Sequence, residues 1–186
     1  MGPSGPTNRS VKLYTDGACI GNPGPGGWAF ILKHPASGRS KEGSGGEHAS
    51  TNNRMEITAV IRGLEALKQP CQVELFSDSE YVVNAVTYGM TIWKLFGWKR
   101  SAKTTKVLKN RDLWIRLDEV RQPHQLTARW IRGHSGHPEN ERCDELAMAA
   151  AALVAATPAP QRPAASDVKD AKPYTGPLFE DADETE

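Results

Sequence analysis

The sequence predicts an α/β fold in which a mixed sheet of about five strands is flanked by helices. Two observations lead to this fold class. Segments with the periodicity of strands come first in succession and later alternate with segments of helical periodicity, an order typical of helices packed on one sheet. A chain of 186 residues is also long enough for one domain with its own hydrophobic core.

The N-terminal half begins with a predicted strand meander. In "VKLYTDG", Val11, Leu13 and Thr15 alternate with more polar residues, and Asp16 is expected to be the last residue of the strand. "GACIGNPGPGG" predicts a turn-rich connection and "WAFILKH" a second strand, so we expect an antiparallel hairpin with a long loop. A third, weaker strand is expected within residues 39–48.

A helix is predicted from Asn53 to Lys68, where apolar residues recur at helical spacing. Asn53 and Glu56, three residues apart, have the spacing of a capping box. The helix should therefore bury one stripe against the sheet, formed by Ile57, Val60, Ile61, Leu64 and Leu67.

The C-terminal half alternates strands with helices. "CQVELFSD" predicts a strand that ends at Asp78, and "SEYVVNAV" a helix after it. Residues 90–98 and 110–121 have helical character, and "LTARWIRG" predicts a further strand. "PENERCDELAMAAAALVAA" predicts a long helix with Pro138 in its first turn.

Composition divides the chain into a domain and two appendages. Residues 1–10 and the Pro/Ala-rich acidic segment 157–186 are predicted to be disordered, and residues 11–156 to form the domain. The net charge is +5 before residue 157 and −4 after it, so a mildly basic body carries an acidic tail. The tail is expected to be a solvated end, with screening of the body or recruitment of a partner as alternatives.

The same composition bears on compartment and partners. Three cysteines without paired spacing argue against a secreted protein held by disulfides. The cytoplasm is therefore the expected location. No apolar run is long enough for a membrane span, so no membrane association is expected. A mildly basic body is compatible with a nucleic-acid partner.

Four acids stand out by their predicted positions. Asp16 and Asp78 end strands, Glu56 lies in the first turn of a helix, and Asp144 lies in the last helix. Each alone could be a turn former, a helix cap or a solvated residue. If the strand ends meet at one edge of the sheet, however, several carboxylates share a small volume, and divalent cations relieve their repulsion.

Four segments together carry a family resemblance. "YTDGACIGNPGPGGWA", "TNNRMEI", "FSDSEYV" and "RGHSGHPENERCDELA" resemble, in order, the signature blocks of bacterial type 1 ribonuclease H. The resemblance covers residues 11 to about 150. It implies a ribonuclease H-like fold and a monomeric endonuclease that hydrolyses the RNA strand of RNA–DNA hybrids, leaving 5′-phosphate and 3′-hydroxyl ends.

The resemblance also implies roles for the acids and for one histidine. The family's metal-binding carboxylates match Asp16, Glu56, Asp78 and Asp144, which would hold two Mg²⁺ ions, with Mn²⁺ as a substitute. Asp16 would bridge the ions. His134 matches the family's mobile histidine, which shuttles a proton or assists product release.

Substrate contacts are implied in the same way. Asn22, Asn52 and the backbone around Gly17 and Cys19 would contact the RNA strand, where the 2′-hydroxyl separates RNA from DNA. Asn53 is also predicted to bind substrate, although Asn52 and Asn53 could instead be helix caps. Trp93 and Trp98 lie in "TYGMTIWKLFGWKRSAKTTK", which resembles a diluted form of the family's basic protrusion. They are predicted to bind substrate, with core packing as the alternative. The family's pocket for a DNA phosphate matches Thr51 and Asn110.

A zinc site and two other functions are the alternatives to this interpretation. Zinc is disfavoured, because no second Cys or His pair completes a site with His134, His137 and Cys143, and neither of the last two matches a ligand in the family. His137 is expected to shape the helix entry and Cys143 to pack inward. A DNA-cutting nuclease of the same fold and a non-catalytic hybrid-binding module remain as alternatives, which cleavage of a labelled hybrid would separate.

Overall fold

The computed structural model describes residues 9–159. The predicted disordered segments therefore lie, except for residues 9, 10 and 157–159, outside the described residues. The elements in chain order are β1 (Ser10–Cys19), β2 (Gly24–His34), β3 (Arg39–Ser50), α1 (Asn52–Glu65), β4 (Gln72–Ser77), α2 (Glu80–Asn84), a π-helical turn (Ala85–Gly89), α3 (Met90–Leu95), α4 (Arg111–Arg121), β5 (Gln125–Trp130) and α5 (Pro138–Ala156).

The five strands form one mixed sheet in the order β3-β2-β1-β4-β5. The β1–β2 and β2–β3 pairs are antiparallel, whereas the β1–β4 and β4–β5 pairs are parallel. The predicted mixed sheet is therefore confirmed. β1 is the first strand and lies in the middle of the sheet, with β2 and β3 on one side and β4 and β5 on the other. Ligands of open α/β sheets bind where the strand order reverses in this way, beyond the carboxyl ends of the strands.

Helices cover both faces of the sheet. On one face the main core joins α1, α2 and α4 to the strands, and Leu13, Leu64, Leu75 and Trp114 lie within it, each at most 1% exposed. On the other face α5 packs on β1 and β2 through small residues such as Ala147. The sheet is thus held from both sides near β1, and its rim is fixed relative to α1 and α5.

The predicted end of β1 at Asp16 is wrong, and so is the long hairpin loop. β1 continues to Cys19, since Gly17, Ala18 and Cys19 pair with residues of β2. The glycines from Gly24 onward belong to the second strand, which leaves a loop of residues 20–23 only. Gly26 and Gly27 enter the ladder because the α1 side chain of Met55 and the α5 backbone press on the sheet there and leave no room for a Cβ.

Helix α1 begins and ends differently from the prediction. Its cap is Thr51, whose Oγ1 accepts from the backbone N–H of Arg54, so Asn53 and Glu56 form no capping box. The helix ends at Glu65 and not at Lys68, and Pro70 follows, a residue that disfavours helical conformation at the position before it. The predicted stripe is otherwise confirmed, because Ile57, Val60, Ile61 and Leu64 are buried.

The segment after β4 departs from regular helix. A π-helical turn joins α2 to α3, and α3 stops at Leu95, before the predicted end at residue 98. Trp93 and Trp98 both pack against the main core and keep part of their surface exposed, so they have the character of core residues without being enclosed. None of the described helices is both long enough and apolar enough to span a bilayer.

Candidate active site

Three acidic side chains from three different elements meet at the rim of the sheet. Carboxylate oxygens of Asp16 on β1, Glu56 on α1 and Asp78 after β4 all lie within 4.8 Å of one another. We call this group the carboxylate cluster. Oxygens so close together could hold a metal ion, and hard carboxylate oxygens are the ligands that Mg²⁺ prefers.

Strand register brings the two aspartates together. In the parallel β1–β4 pair, Tyr14 lies opposite Phe76, and a continuation of that register by two residues sets Asp16 beside Asp78. Tyr14 and Phe76 also stack, with ring centroids 4.9 Å apart. The carboxyl ends of neighbouring parallel strands meet at the same edge of a sheet, so this juxtaposition follows from the topology.

Glu56 joins the aspartates because α1 crosses β1 at a glycine. A Cβ at Gly17 would lie 2.2 Å from the backbone nitrogen of Glu56 and 2.4 Å from the backbone carbon of Met55. Real atoms do not approach so closely, so only glycine permits this contact between the strand and the helix. The close approach sets the Glu56 side chain beside Asp16.

The electrostatics of the cluster favour protonation when no cation is present. Burial, and then the charges of Asp78 and Asp144, raise the pKa of Asp16 to about 7, while the Gly17 N–H, 2.7 Å from Oδ1, opposes the shift. Burial, together with the charges of Asp16 and Asp78, raises the pKa of Glu56 well above its usual value. Fully ionised carboxylates are therefore unfavourable at this site unless positive charge joins them.

Glu56 gives a second sign that the cluster fits a cation. Its Oε2 atom is buried and has no hydrogen-bond partner among the described residues. A buried carboxylate oxygen without a partner costs free energy, which coordination to a cation would recover. The donor set is all oxygen, and this suits magnesium or manganese better than zinc.

Asp144 lies near the cluster without belonging to its closest group. It is half-buried on α5, and its charge contributes to the raised pKa of Asp16. The structure therefore brings together three of the four predicted metal-binding acids and sets the fourth within electrostatic reach. His134 lies in the loop between β5 and α5, is exposed, and has a left-handed backbone with φ of 50°.

Three residues around Asp78 were not identified from the sequence. Trp130 donates from Nε1 to the Asp78 carbonyl oxygen at 3.0 Å, and Asn140 donates from Nδ2 to the carboxylate Oδ2 at 3.2 Å. A Cβ at Gly133 would lie 2.5 Å from the same Oδ2. Asn140 could have been noticed from its position four residues before Asp144, on the same side of the helix.

The residues predicted to contact RNA surround the start of α1. Asn22 Oδ1 accepts from the backbone N–H of Asn52 at 3.3 Å, and Cys19 Sγ lies 3.5 Å from the Ser50 carbonyl oxygen. The first contact ties the β1–β2 loop to α1, and the second joins the end of β1 to the end of β3. Asn52 and Asn53 are exposed and neither caps the helix, so the capping alternative for them is wrong.

The residues predicted for a DNA phosphate lie at two helix starts. Thr51 caps α1, and Asn110 precedes α4 with a φ of 57°, its Nδ2 donating to the Tyr81 hydroxyl at 3.2 Å. An ion pair at 2.7 Å between Arg54 and Asp112 joins the first turns of these two helices. Helix N-termini attract anions, so the position is suitable for a phosphate.

The zinc alternative finds no support in the surroundings of its ligands. Cys143 is fully buried against Ala147 and the strands, as predicted, and burial raises the pKa of its thiol. A buried thiol with a raised pKa is a poor metal ligand, because the thiolate is the species that coordinates. His137 is exposed and precedes α5, in keeping with its predicted position at the helix entry.

Comparison with known proteins settles the family. A family model described as RNase H matches residues 8–152. The chain belongs to the RNase H family. Among its relatives, "Ribonuclease H" of Hydrogenovibrio crunogenus is 57% identical over 139 residues, which are 75% of this chain and 93% of that protein. "Ribonuclease HI" of Brucella melitensis is 53% identical over 141 residues, or 76% and 89% of the two chains. The predicted resemblance and enzyme class are thereby confirmed.

Solved structures of RNase H proteins share the fold. LC9-RNase H1, described as a type 1 RNase H with the type 2 active-site motif, aligns with a TM-score of 0.69 at 30% identity, over 78% of this chain and 74% of that one. LC11-RNase H1, solved in complex with an RNA/DNA hybrid, aligns with a TM-score of 0.56 at 25% identity, over 78% and 99%. The ribonuclease H-like fold is confirmed.

The close contact between Gly17 and α1 can be tested by substitution. Gly17→Ala should lower the free energy of unfolding by about 1–3 kcal/mol, since the new methyl group meets backbone atoms of α1. It should also reduce cleavage of an RNA–DNA hybrid, because Glu56 must move away from Asp16. Chemical denaturation and steady-state kinetics measure the two effects.

Gly43→Ala is the matched control for that variant. The atoms nearest to a Cβ at Gly43 belong to the ring of Phe30, at 2.5 Å, on the β2–β3 pair and not at the cluster. It should cost stability and leave kcat unchanged. Equal losses of kcat in both folded variants would show that the close approach at Gly17 has no special role in the site.

Proposed function

We propose that this chain is an endonuclease that hydrolyses the RNA strand of RNA–DNA hybrids by a two-metal-ion mechanism and leaves 5′-phosphate and 3′-hydroxyl ends. The observation that carries the proposal is the carboxylate cluster at the sheet rim. Family membership supports the reaction class, and the hybrid bound to a relative supports the substrate.

The cluster fits Mg²⁺, and Mn²⁺ as a substitute, by the chemistry of its donors. Asp16, Glu56 and Asp78 would hold one ion, and Asp16 with Asp144 would hold the second. Bound ions of this kind lower the pKa of the attacking water and neutralise charge on the leaving oxygen. The raised pKa of Asp16 and the unpaired oxygen of Glu56 support this assignment, because both features favour a cation.

The reaction that these residues would serve is a simple displacement. The oxygen of a water molecule forms a bond to the scissile phosphorus, and the bond from phosphorus to the 3′ oxygen breaks. The water gives up a proton, and the departing 3′ oxygen takes one and becomes the hydroxyl end. The carboxylates would hold positive charge against the phosphate and the water, and this positioning of charge would supply most of the catalysis.

Recognition of the hybrid would divide between two surfaces. Asn22, Asn52, Asn53 and the backbone of Gly17 and Cys19 form the RNA side, next to the cluster. Polar groups at this position can read a 2′-hydroxyl, which only the RNA strand carries. The DNA strand would place a phosphate at Thr51 and Asn110, where two helix N-termini meet, and Trp93 and Trp98 would extend the contact through their exposed surface.

His134 is proposed to move a proton or to assist product release. It is exposed on the loop before α5 and adopts left-handed backbone geometry, which among non-glycine residues is concentrated at functional sites. His134→Ala should lower kcat by about 100-fold, the lower end of the usual contribution of proton transfer, without abolishing it. Asparagine tolerates left-handed backbone geometry, so His134→Asn removes the imidazole ring without straining the loop. An equal loss of kcat in both variants would assign the effect to the ring.

His137→Asn is the control for the histidine variants. His137 is exposed, lies three residues further along the same loop and makes no side-chain capping bond, so its replacement should leave kcat unchanged. Wild-type turnover in His134→Asn would remove the histidine from the mechanism.

Labelled duplexes separate the candidate functions. We expect cleavage of only the RNA strand of an RNA–DNA hybrid, dependent on Mg²⁺ and stopped by a chelator. Cleavage of duplex DNA would instead favour a DNA-cutting nuclease of the same fold, and tight hybrid binding without cleavage would favour a binding module. A cytoplasmic location and a monomeric state also stay proposals, supported respectively by three cysteines without disulfides and by the family resemblance.

A further inference from the structure

Asn140 is a buried amide that joins two parts of the site. It is the third residue of α5 and is 2% exposed. Its Nδ2 atom donates to Asp78 Oδ2 at 3.2 Å. The opposite amide orientation would turn Oδ1 toward the carboxylate, so donation by Nδ2 is the arrangement that an ionised Asp78 requires.

The rest of the Asn140 amide is poorly satisfied. Its Oδ1 atom is buried and makes no hydrogen bond to any described residue. An unsatisfied buried acceptor costs about 1–3 kcal/mol, so an apolar residue of similar volume would suit this position better if only stability mattered. A residue that costs stability in a functional site points to a role in that site.

The contact ties Asp78 to the helix that carries Asp144. Asp78 is already held through its carbonyl oxygen by Trp130 and confined at Oδ2 by Gly133. The bond from Asn140 adds the only α5 side chain in this set. Asp144 follows Asn140 by four residues, about one helical turn, on the same side of α5. A rigid helix therefore transmits the position of Asn140 to Asp144.

We infer that Asn140 is a positioning residue, whose Nδ2 group fixes the Asp78 carboxylate and locks the first turns of α5, and with them Asp144, at the distance that metal binding requires. It acts through these two acids and does not itself contact substrate. As a neutral donor it satisfies a carboxylate oxygen without adding a charge that would compete with the cation. This inference rests on the proposed function, since it assumes that metal binds at the cluster.

Asn140→Leu tests the inference, because leucine has nearly the same shape and offers no donor. Isothermal titration of the substrate-free protein with Mg²⁺ should show a dissociation constant raised about 10- to 100-fold, the usual effect of losing a hydrogen bond to a metal ligand. The melting temperature in chelator should change little, because the loss of the hydrogen bond to Asp78 and the removal of the unsatisfied oxygen oppose each other. Cleavage should recover as Mg²⁺ is increased.

Ala149→Gly is the matched control on the same helix. Ala149 is exposed and lies about two and a half turns beyond Asn140. Glycine there should lower helix stability by about 1 kcal/mol without touching the acids. Its Mg²⁺ affinity should equal that of the wild type. If Asn140→Leu does not fold, Asn140→Ser, which is shorter and equally unable to reach Asp78, should show the same weakened binding.

The outcomes separate this inference from the function on which it rests. Wild-type protein that takes up no Mg²⁺ would overturn the proposed function itself. Wild-type protein that binds, together with a folded Asn140→Leu or Asn140→Ser variant of equal affinity, would overturn only the role of Asn140. The role of Asn140 would also be overturned if Mg²⁺ affinity and melting temperature fell together in the Asn140 variants and in Ala149→Gly. The loss of affinity would then follow from a less stable α5 and not from the lost contact with Asp78.

Discussion

Asp16→Asn should abolish hydrolysis of an RNA–DNA hybrid, lowering kcat by about three orders of magnitude or more, and should leave the fold intact. Asp16 is 7% exposed and lies in the cluster with Glu56 and Asp78. Its substitution therefore removes a carboxylate that would bind the metal. Asparagine has the same shape and can still accept the Gly17 N–H through its oxygen. Gel assays with labelled RNA, together with circular dichroism, measure the two effects.

Glu119→Gln is the control for removal of an acid. Glu119 is exposed on α4 and, within residues 9–159, its side chain forms an ion pair only with Arg116 at the surface. Its substitution should leave kcat and melting temperature nearly unchanged, because exposed ion pairs contribute little. Turnover near that of the wild type in Asp16→Asn would mean that the cluster does not perform the chemistry.

The stability of the metal-free protein should fall as pH rises from about 4 to about 7. The folded protein holds a proton on Asp16 up to a pKa of about 7, whereas the unfolded chain releases it near 3.8. The unfolded state therefore binds fewer protons in this window, and the free energy of unfolding decreases with rising pH. The full effect is on the order of 4 kcal/mol, and Glu56 acts in the same direction.

Magnesium should reverse this loss. Bound cations stabilise the ionised carboxylates, so saturating Mg²⁺ should raise the melting temperature much more at about pH 8 than at about pH 5. In chelator, the free energy of unfolding of Asp16→Asn should fall less steeply with rising pH than that of the wild type. At about pH 8 the metal-free variant should be more stable than the metal-free wild type. A wild-type melting temperature in chelator that is flat or rises between these pH values would refute the electrostatic description of the cluster.

Local patterns predicted the elements better than their ends. The alternation around Leu13 and the stripe along α1 identified β1 and α1, since the burial of one face imposes a period on the sequence. The ends were missed where tertiary contacts decide them. The glycines after Asp16 have the composition of a loop, and they join the ladder because α1 and α5 lie against the sheet there.

The candidate site divides in the same way. Asp16 and Asp78 could be placed near strand ends from periodicity alone, and the parallel pairing of β1 with β4 in the structure brings them to one rim. Glu56 and Asp144 lie on helices, and their association with the aspartates was implied by the family resemblance and not by periodicity. Asn140 was missed because a single asparagine in a polar helix start has an ordinary explanation, and only the structure shows that it is buried against Asp78.

The most direct test of the account is the position of bound metal. Crystals of the Asp144→Asn variant with an RNA–DNA hybrid and Mn²⁺ should show anomalous density within about 2.2 Å of oxygens of Asp16, Glu56 and Asp78, with the scissile RNA phosphate beside it. We expect a peak at that position. Well-ordered crystals with the hybrid bound and no metal among these three side chains would contradict it.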